Sequence, residues 1–347
     1  MTNQVVKRLG WACKYLYKNQ NEKKRILEEY EKPFNTRATT VQWLSRQSKK
    51  DAEQRLWEIM VHNIESIKKV LHYLGGLPVE LRCFRISSDI LPVYTEPSWR
   101  YYWLQEHVAK YAEQEFAKVG NLARQLNVRM SYHPGQFCCI VSDNDDVVAR
   151  SLEELEYHAT MARWMGYGKY KLDFKINVHL SGRRRAAGFD AAWHRMSPEL
   201  RNCLTLENDE YQTSLDELIT LKSKVGIVLD IHHHLIHEGE YIQPTDDRIK
   251  HVIESWQGVR PTMHHSQPKS EFLTQFVGHL PTFDQLLQVA NKAQLRAHSD
   301  YCDHPSFNDW ALSHLEWADI MVESKKKNLA SIGLYNYGVN KGSISVS

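Results

Sequence analysis

Six residues able to hold a divalent cation stand at the ends of six successive apolar runs. They are His133 in SYHP, His179 in NVHL, Glu207 in TLEND, Asp230 in VLDI, His264 in TMHH and Glu323 in MVES. Mixed imidazoles and carboxylates, with no cysteine at any of the six positions, suit Mn2+, Zn2+ or Fe2+ rather than a structural thiolate zinc site. Six such groups exceed the needs of one ion, so a cluster of two or three divalent ions is expected. Clusters of this kind serve phosphoryl chemistry, activating water and neutralising charge on the leaving oxygen. Glu207, Asp230 and Glu323 would then be catalytic through the ions they hold.

Taken singly, each residue also has an ordinary reading. His179 suits a core histidine satisfied by a carbonyl, Glu207 a loop cap, and Asp230 a helix cap. Their recurrence at strand ends is what favours the metal reading. The stretch LDIHHHLIHE, residues 229 to 238, adds four histidines after Asp230. One of His232, His233 and His234 is expected as a ligand, with a neighbour orienting another ligand's ring. Residue types alone do not choose between them, and His237 is expected in a solvated loop.

The elements that must position these groups alternate between short apolar strands and amphipathic helices. Strands are expected at 5–13, 79–86, 128–134, 174–180, 203–209, 226–231, 260–265 and 319–324. The plainest helix follows Ser48, where Leu56, Ile59, Met60, Ile64, Ile67, Leu71 and Leu74 recur at steps of three and four, up to Gly75 and Gly76. Further helices are expected at about 101–125, from Asp145 or Asp146, from about 213, and at about 246–256. Eight strands separated by helices predict one α/β domain over residues 1–347, a closed (β/α)8 TIM barrel, with an open doubly wound sheet as the alternative. In such a barrel every strand ends on the same face, so the six residues converge. The segment 271–293 exceeds an ordinary loop and carries its own helical pattern, predicting a helical insertion after the seventh strand.

Composition sets wide bounds. The 347 residues are 42% hydrophobic and carry a net charge of +2, so no global basic field advertises nucleic acid and none excludes it. Six cysteines without a CxxC pair are expected to be reduced thiols. With no signal-peptide core and no apolar run long enough to span a bilayer, a cytoplasmic monomer is expected.

The stretches RLGWACKYL, LRCFRISSDILP, SYHPGQF, RSLEELEYH, NVHLSG, LTLENDE, VLDIHHH, MHHSQPKSE, RAHSDY and DIMVESKKK run in order from about residue 8 to 327. Together they resemble the UV damage endonuclease family, with HPGQF and LENDE carrying the most weight. The resemblance implies a barrel related to endonuclease IV, which cuts double-stranded DNA 5′ of ultraviolet photoproducts (pyrimidine dimers and 6–4 products) with a divalent cluster, often manganese. It supports the six strand-end ligands and adds His233 and His298. His234 is then the neighbour expected to orient a ligand, and His232 and His237 are bystanders. It further implies that Gln136 and Phe137 enter the duplex beside the lesion, with Trp11 where many members carry tyrosine.

Three departures stand out. A family ligand histidine is replaced by Glu96, which can still bind a divalent ion. A lysine found in some members two residues before the seventh-strand histidine is Thr262. The 271–293 segment is longer than the family pattern. Arg183, Arg184 and Arg185, directly after the fourth strand, are candidate phosphate contacts. The expected function is a metal-dependent DNA repair endonuclease, with abasic sites as further substrates to test. A metal-dependent sugar isomerase or epimerase and a catalytically silent binding module are the rivals.

Overall fold

The computed structural model describes residues 6–135 and 138–345. Its sheet has eight parallel strands in the order β6-β5-β4-β3-β2-β1-β8-β7. They are β1 (Leu9–Ala12), β2 (Cys83–Ile86), β3 (Arg129–Tyr132), β4 (Lys175–His179), β5 (Leu204–Glu207), β6 (Gly226–Val228), β7 (Thr262–His265) and β8 (Asp319–Val322). The last seam, between β6 and β7, is closed by a single parallel bridge from Asp230 to His264. The expected (β/α)8 barrel is therefore present, and its closure runs through two of the expected ligands.

Strand parity sorts the side chains. One file on each strand faces the helices: Leu9 and Trp11, Ile176 and Val178, Leu204 and Leu206, and Ile320 and Val322 all belong to the main apolar core. The other file faces the barrel interior, apolar at Ala12, Cys83 and Met321 but polar on β3, β4 and β5. It includes Arg129 and Ser131 on β3, Lys175, Asn177 and His179 on β4, and Thr205 and Glu207 on β5. At the bottom of the barrel, the buried Asp319 carboxylate receives Arg129 Nη1 at 2.6 Å and Arg260 Nε at 2.8 Å, together with the backbone N–H of Arg8 at 2.9 Å. Gly10 is required on β1, because a Cβ there would lie 2.8 Å from Cys83 Sγ.

The helix Lys49–Gly75 follows its sequence pattern. Ser48 Oγ accepts from Asp51 N–H at 3.1 Å, and the seven apolar positions named above are buried. Residues 79–81 form a 3-10 turn after Pro78, so β2 starts only at Cys83. Helices Lys24–Glu31, Val41–Leu44, Pro305–Ser313 and Lys327–Asn340 were not legible beforehand. The last of these ties the chain ends together, Asn328 exchanging two hydrogen bonds with the backbone of Leu16 at 2.8 and 2.9 Å. The segment expected as an insertion contains the helix Phe283–Val289, and a second helix, Lys292–Leu295, starts within it and runs past its end; each is started by a capping box. All six cysteines are free thiols. Among the described residues no helix is long and apolar enough to cross a membrane.

Candidate metal centre

The polar interior file reaches the C-terminal mouth of the barrel as three overlapping groups of ligand atoms. His133, His179 and Glu207 form the first, Glu207, Asp230 and His233 the second, and Asp230, His264 and Glu323 the third. Within each group the candidate ligand atoms lie within 4.8 Å of one another. Glu207 is common to the first two and Asp230 to the last two. The six strand-end residues therefore do converge, and the structure selects His233 from the three consecutive histidines.

Local folding explains this choice. Asp230 caps the helix Ile231–Glu238, its Oδ1 accepting from His233 N–H at 2.8 Å, and Gly239 ends that helix with φ of +76°. The cap turns the His233 ring toward the centre, with Nδ1 3.5 Å from Glu207 Oε1 and 3.8 Å from Asp230 Oδ2. The capping role of Asp230 uses one oxygen only. Among the described residues its buried Oδ2 has no hydrogen-bond partner, and neither has His179 Nδ1. Buried polar atoms are ordinarily satisfied, so two orphans at the same mouth fit ligands that await a cation.

The tautomers point the same way. His133 Nδ1 donates to the Pro134 carbonyl at 3.0 Å, which leaves Nε2 facing Glu207 Oε2 at 3.2 Å. Burial lowers the His133 pKa to about 4, so the ring is neutral and sets a lone pair against a carboxylate. A cation resolves that opposition. His298 Nδ1 donates to the Glu323 carbonyl at 2.8 Å, so its Nε2 is free to accept or ligate. His264 Nδ1 lies 3.0 Å from Glu207 Oε1 and 3.1 Å from Glu323 Oε1, while its Nε2 meets Lys175 Nζ at 3.0 Å.

The electrostatics show how much negative charge is gathered here. Burial disfavours an ionised Glu207, yet His264 and His179 hold its carboxyl well below the usual range. Burial raises Asp230, and the charges of Glu207 and Glu323 add to that, against the pull of His233. Burial also opposes charge on His233, but Asp230, Glu207 and Glu210 raise its pKa to about 9. Burial lowers Lys175 to about 7 despite the attraction of Glu207. Arg85 pairs with Glu323, and Asn177 donates to Glu207.

Several expected residues stand elsewhere. Trp11 lies on the outer face of β1, 1% exposed and 4.6 Å from the Phe84 ring, so parity makes it a core residue that cannot enter a duplex. His234 points away from the centre: its Nε2 meets Glu240 Oε1 at 3.1 Å, and no hydrogen bond or ion pair joins it to any ligand. His237 is on the helix rather than in a solvated loop, with Nδ1 donating to the Asp209 carbonyl at 2.9 Å. Glu96 accepts from Ser98 Oγ at 3.4 Å and belongs to none of the three groups. His298 lies beside the centre, its ring 6.3 Å from that of His233, but it too is outside the groups. Arg183, Arg184 and Arg185 face Asp143, Asp145 and Glu217 in surface ion pairs, the last through Arg185 Nε at 3.0 and 3.1 Å, and the Arg183 side chain stays 87% exposed. Gln136 and Phe137 lie outside the described residues.

Arg85, Lys175, Asn177 and Glu210 were missed. The signal for Lys175 and Asn177 was in the sequence: with His179 they form a polar file at steps of two in FKINVHL.

The comparisons with known proteins agree with this geometry. The family described as UV-endonuclease UvdE matches residues 7–342. A UV DNA damage endonuclease of Bacillus velezensis (strain DSM 23117 / BGSC 10A6 / LMG 26770 / FZB42) is 29% identical over 308 residues, covering 84% of each chain. One of Bacillus mycoides (strain KBAB4) is 27% identical over 300 residues, 82% of this chain and 84% of the relative. The crystal structure of SacUVDE superposes with a TM-score of 0.72 over 97% of this chain and 100% of that one, at 19% identity, which supports the shared fold. Matched over nearly its whole length, the chain belongs to the UV-endonuclease UvdE family.

Proposed function

We propose that the protein is a metal-dependent DNA repair endonuclease that hydrolyses the phosphodiester 5′ of an ultraviolet photoproduct. The observation that carries this reading is the set of three overlapping ligand groups with two buried orphan atoms at the barrel mouth. His133, His179, Glu207, Asp230, His233, His264 and Glu323 would hold two or three divalent ions, with His298 completing the set. Mn2+ suits a donor set that mixes imidazoles with three carboxylates, and Zn2+ or Fe2+ are the competitors. When bound, such ions supply water activation and charge neutralisation at the phosphodiester.

The protein's own residues do the rest. Lys175 and Arg85 fix His264 and Glu323 from below and beside, so the ligands are pre-oriented. His133, His179, His298 and Glu323 retain partial exposure at the C-terminal mouth. Substrate therefore approaches from that face. Exposed Lys14 follows β1 and exposed Lys325 follows β8 on the same rim, where they can meet backbone phosphates of double-stranded DNA. Lesion choice would come from duplex distortion and easy nucleotide extrusion, with Gln136 and Phe137 as the candidates that fill the gap. The products would be a 3′-hydroxyl and a 5′-phosphate. Abasic sites distort and destack the duplex in a related way and are further candidate substrates.

Incubation of Mn2+-loaded protein with irradiated plasmid tests this reading. Nicking above the unirradiated control is expected, and its absence with measured full metal loading would refute it.

A further inference from the structure

The segment after β7 ends against the metal centre. Arg296 caps the helix Lys292–Leu295, and its Nε donates to Glu210 Oε1 at 2.6 Å. The other Glu210 oxygen lies 3.7 Å from His233 Nε2. The carbonyl of Leu295 accepts from His232 Nε2 at 3.0 Å. One end of this segment thus touches two of the three consecutive histidines, directly or through Glu210.

Arg296 also holds an aromatic ring. Its guanidinium carbon sits 4.2 Å from the centroid of Tyr211, and its Nη1 donates to the Tyr211 hydroxyl. Tyr211 follows β5 and stands four residues after Glu207. The backbone there is stiffened by Asp209 Oδ1, which accepts from Tyr211 N–H at 2.7 Å and from Thr213 N–H at 3.3 Å. Even so, Tyr211 is 57% exposed. The guanidinium covers one face of the ring, and the remaining exposure leaves the other face open. An aromatic ring fixed in place, open on one side and beside a metal centre offers a flat apolar surface. The adjacent Arg296 charge is already balanced by Glu210, so the ring, not the guanidinium, is the available contact.

We propose that Tyr211 is a stacking platform for a nucleobase of the bound DNA, and that Arg296 is the positioning residue by which the segment after β7 holds it. This rests on the DNA substrate of the proposed function. Both side chains are at the surface, so their replacement should leave the fold intact, which a melting curve checks.

The test uses full-length protein in EDTA and fluorescence anisotropy with two duplexes, one carrying a single pyrimidine dimer and one undamaged. Aromatic–base stacking corresponds to a roughly 5- to 150-fold change in affinity. Tyr211→Ala is expected to weaken binding of the damaged duplex within that range, whereas Tyr211→Phe should stay within about twofold of the parent. Arg296→Gln should also weaken binding, and the Tyr211→Ala/Arg296→Gln double variant should lose no more than Tyr211→Ala alone. Parental affinity in Tyr211→Ala would overturn the proposal. So would an equal loss in Tyr211→Phe, which would assign the effect to the hydroxyl anchor, or additive losses in the double variant. If the Mn2+-loaded parent neither binds nor nicks the damaged duplex, the endonuclease reading itself fails; variants that bind as tightly as a parent that does bind sink only the platform.

Discussion

Glu207→Gln removes a charge while keeping the shape of the side chain, and the overlapping groups make its effect calculable. Glu207 is fully buried and belongs to two of the three groups, with His133 Nε2 at 3.2 Å and His264 Nδ1 at 3.0 Å. A unit charge pair about 3 Å apart at an effective dielectric of ~20 corresponds to about 5 kcal/mol. Neutralising a buried carboxylate also relieves its desolvation, which offsets several kcal/mol of that attraction. A net loss of about 2–3 kcal/mol for each of the two groups is left, or roughly 30- to 150-fold weaker binding per ion. The third group, Asp230, His264 and Glu323, keeps all its ligands. The Gln amide keeps the side chain's volume and can donate to the His133 Nε2 lone pair, although the same position now accepts from Asn177 Nδ2, so a melting curve checks that the fold survives. Metal analysis after gel filtration should then show fewer ions than in the parent, calorimetry should show only one tight class of site, and nicking of irradiated plasmid should fall at least 100-fold. Parental stoichiometry and affinity in a folded Glu207→Gln protein would refute the shared-ligand reasoning, whatever the activity.

Four further outcomes follow from the same structure. Adding Mn2+ to EDTA-treated protein at about 100 times its dissociation constant should stabilise the fold by about 2.7 kcal/mol per site, seen as a rise in melting temperature that excess EDTA reverses. Lys175→Met leaves His264 Nε2 without its partner and should weaken metal binding by roughly 10- to 100-fold in calorimetry, while the melting temperature of the metal-free protein changes little or rises. Asp319→Asn strips the carboxylate from three arginines at the barrel bottom and should cost about 3–5 kcal/mol in urea unfolding, with metal stoichiometry unchanged in the folded protein. Burial lowers His158 from 6.5 to about 4, so its contribution is fully present above pH 6.5 and is lost as pH falls toward 4. Unfolding free energy should drop by up to about 3 kcal/mol across that window from this group, and His158→Gln should flatten the curve; an unchanged slope would contradict the assignment.

The strand-end candidate ligands were legible because a parallel barrel converts a one-dimensional regularity into a ring. Each of His133, His179, Glu207, Asp230, His264 and Glu323 ends an apolar run, and eight such runs leave little freedom about where their ends meet. What was not legible depended on orientation. Trp11 differs from a site residue only by one step along β1, and one step reverses the face to which a side chain points. His232, His233 and His234 could not be separated until Asp230 was seen to cap a helix, since the cap fixes which ring turns inward. His298 sits in a loop with no period at all, and only the family resemblance pointed to it. Lys175 and Asn177 were visible as a period-two polar file, and were passed over because strand ends alone were weighed.

That polar file changes how the barrel and its chemistry are related. An ordinary barrel interior is filled with branched apolar side chains, whereas here Arg129, Ser131, Lys175, Asn177, Thr205 and Glu207 occupy it. Part of this interior is a chain of hydrogen bonds from Thr205 Oγ1 to Asn177 Oδ1 at 2.8 Å, and on from Asn177 to Glu207. The β6–β7 seam lacks a ladder of its own and is bridged at Asp230 and His264, with His264 N–H donating to the Leu229 carbonyl at 2.9 Å. Three carboxylates repel one another at the place where the sheet must close. A cation bound there would relieve that repulsion on both sides of the seam at once. The β6–β7 seam and the candidate metal centre therefore share Asp230 and His264, so a cation held there would also tighten the closure of the sheet.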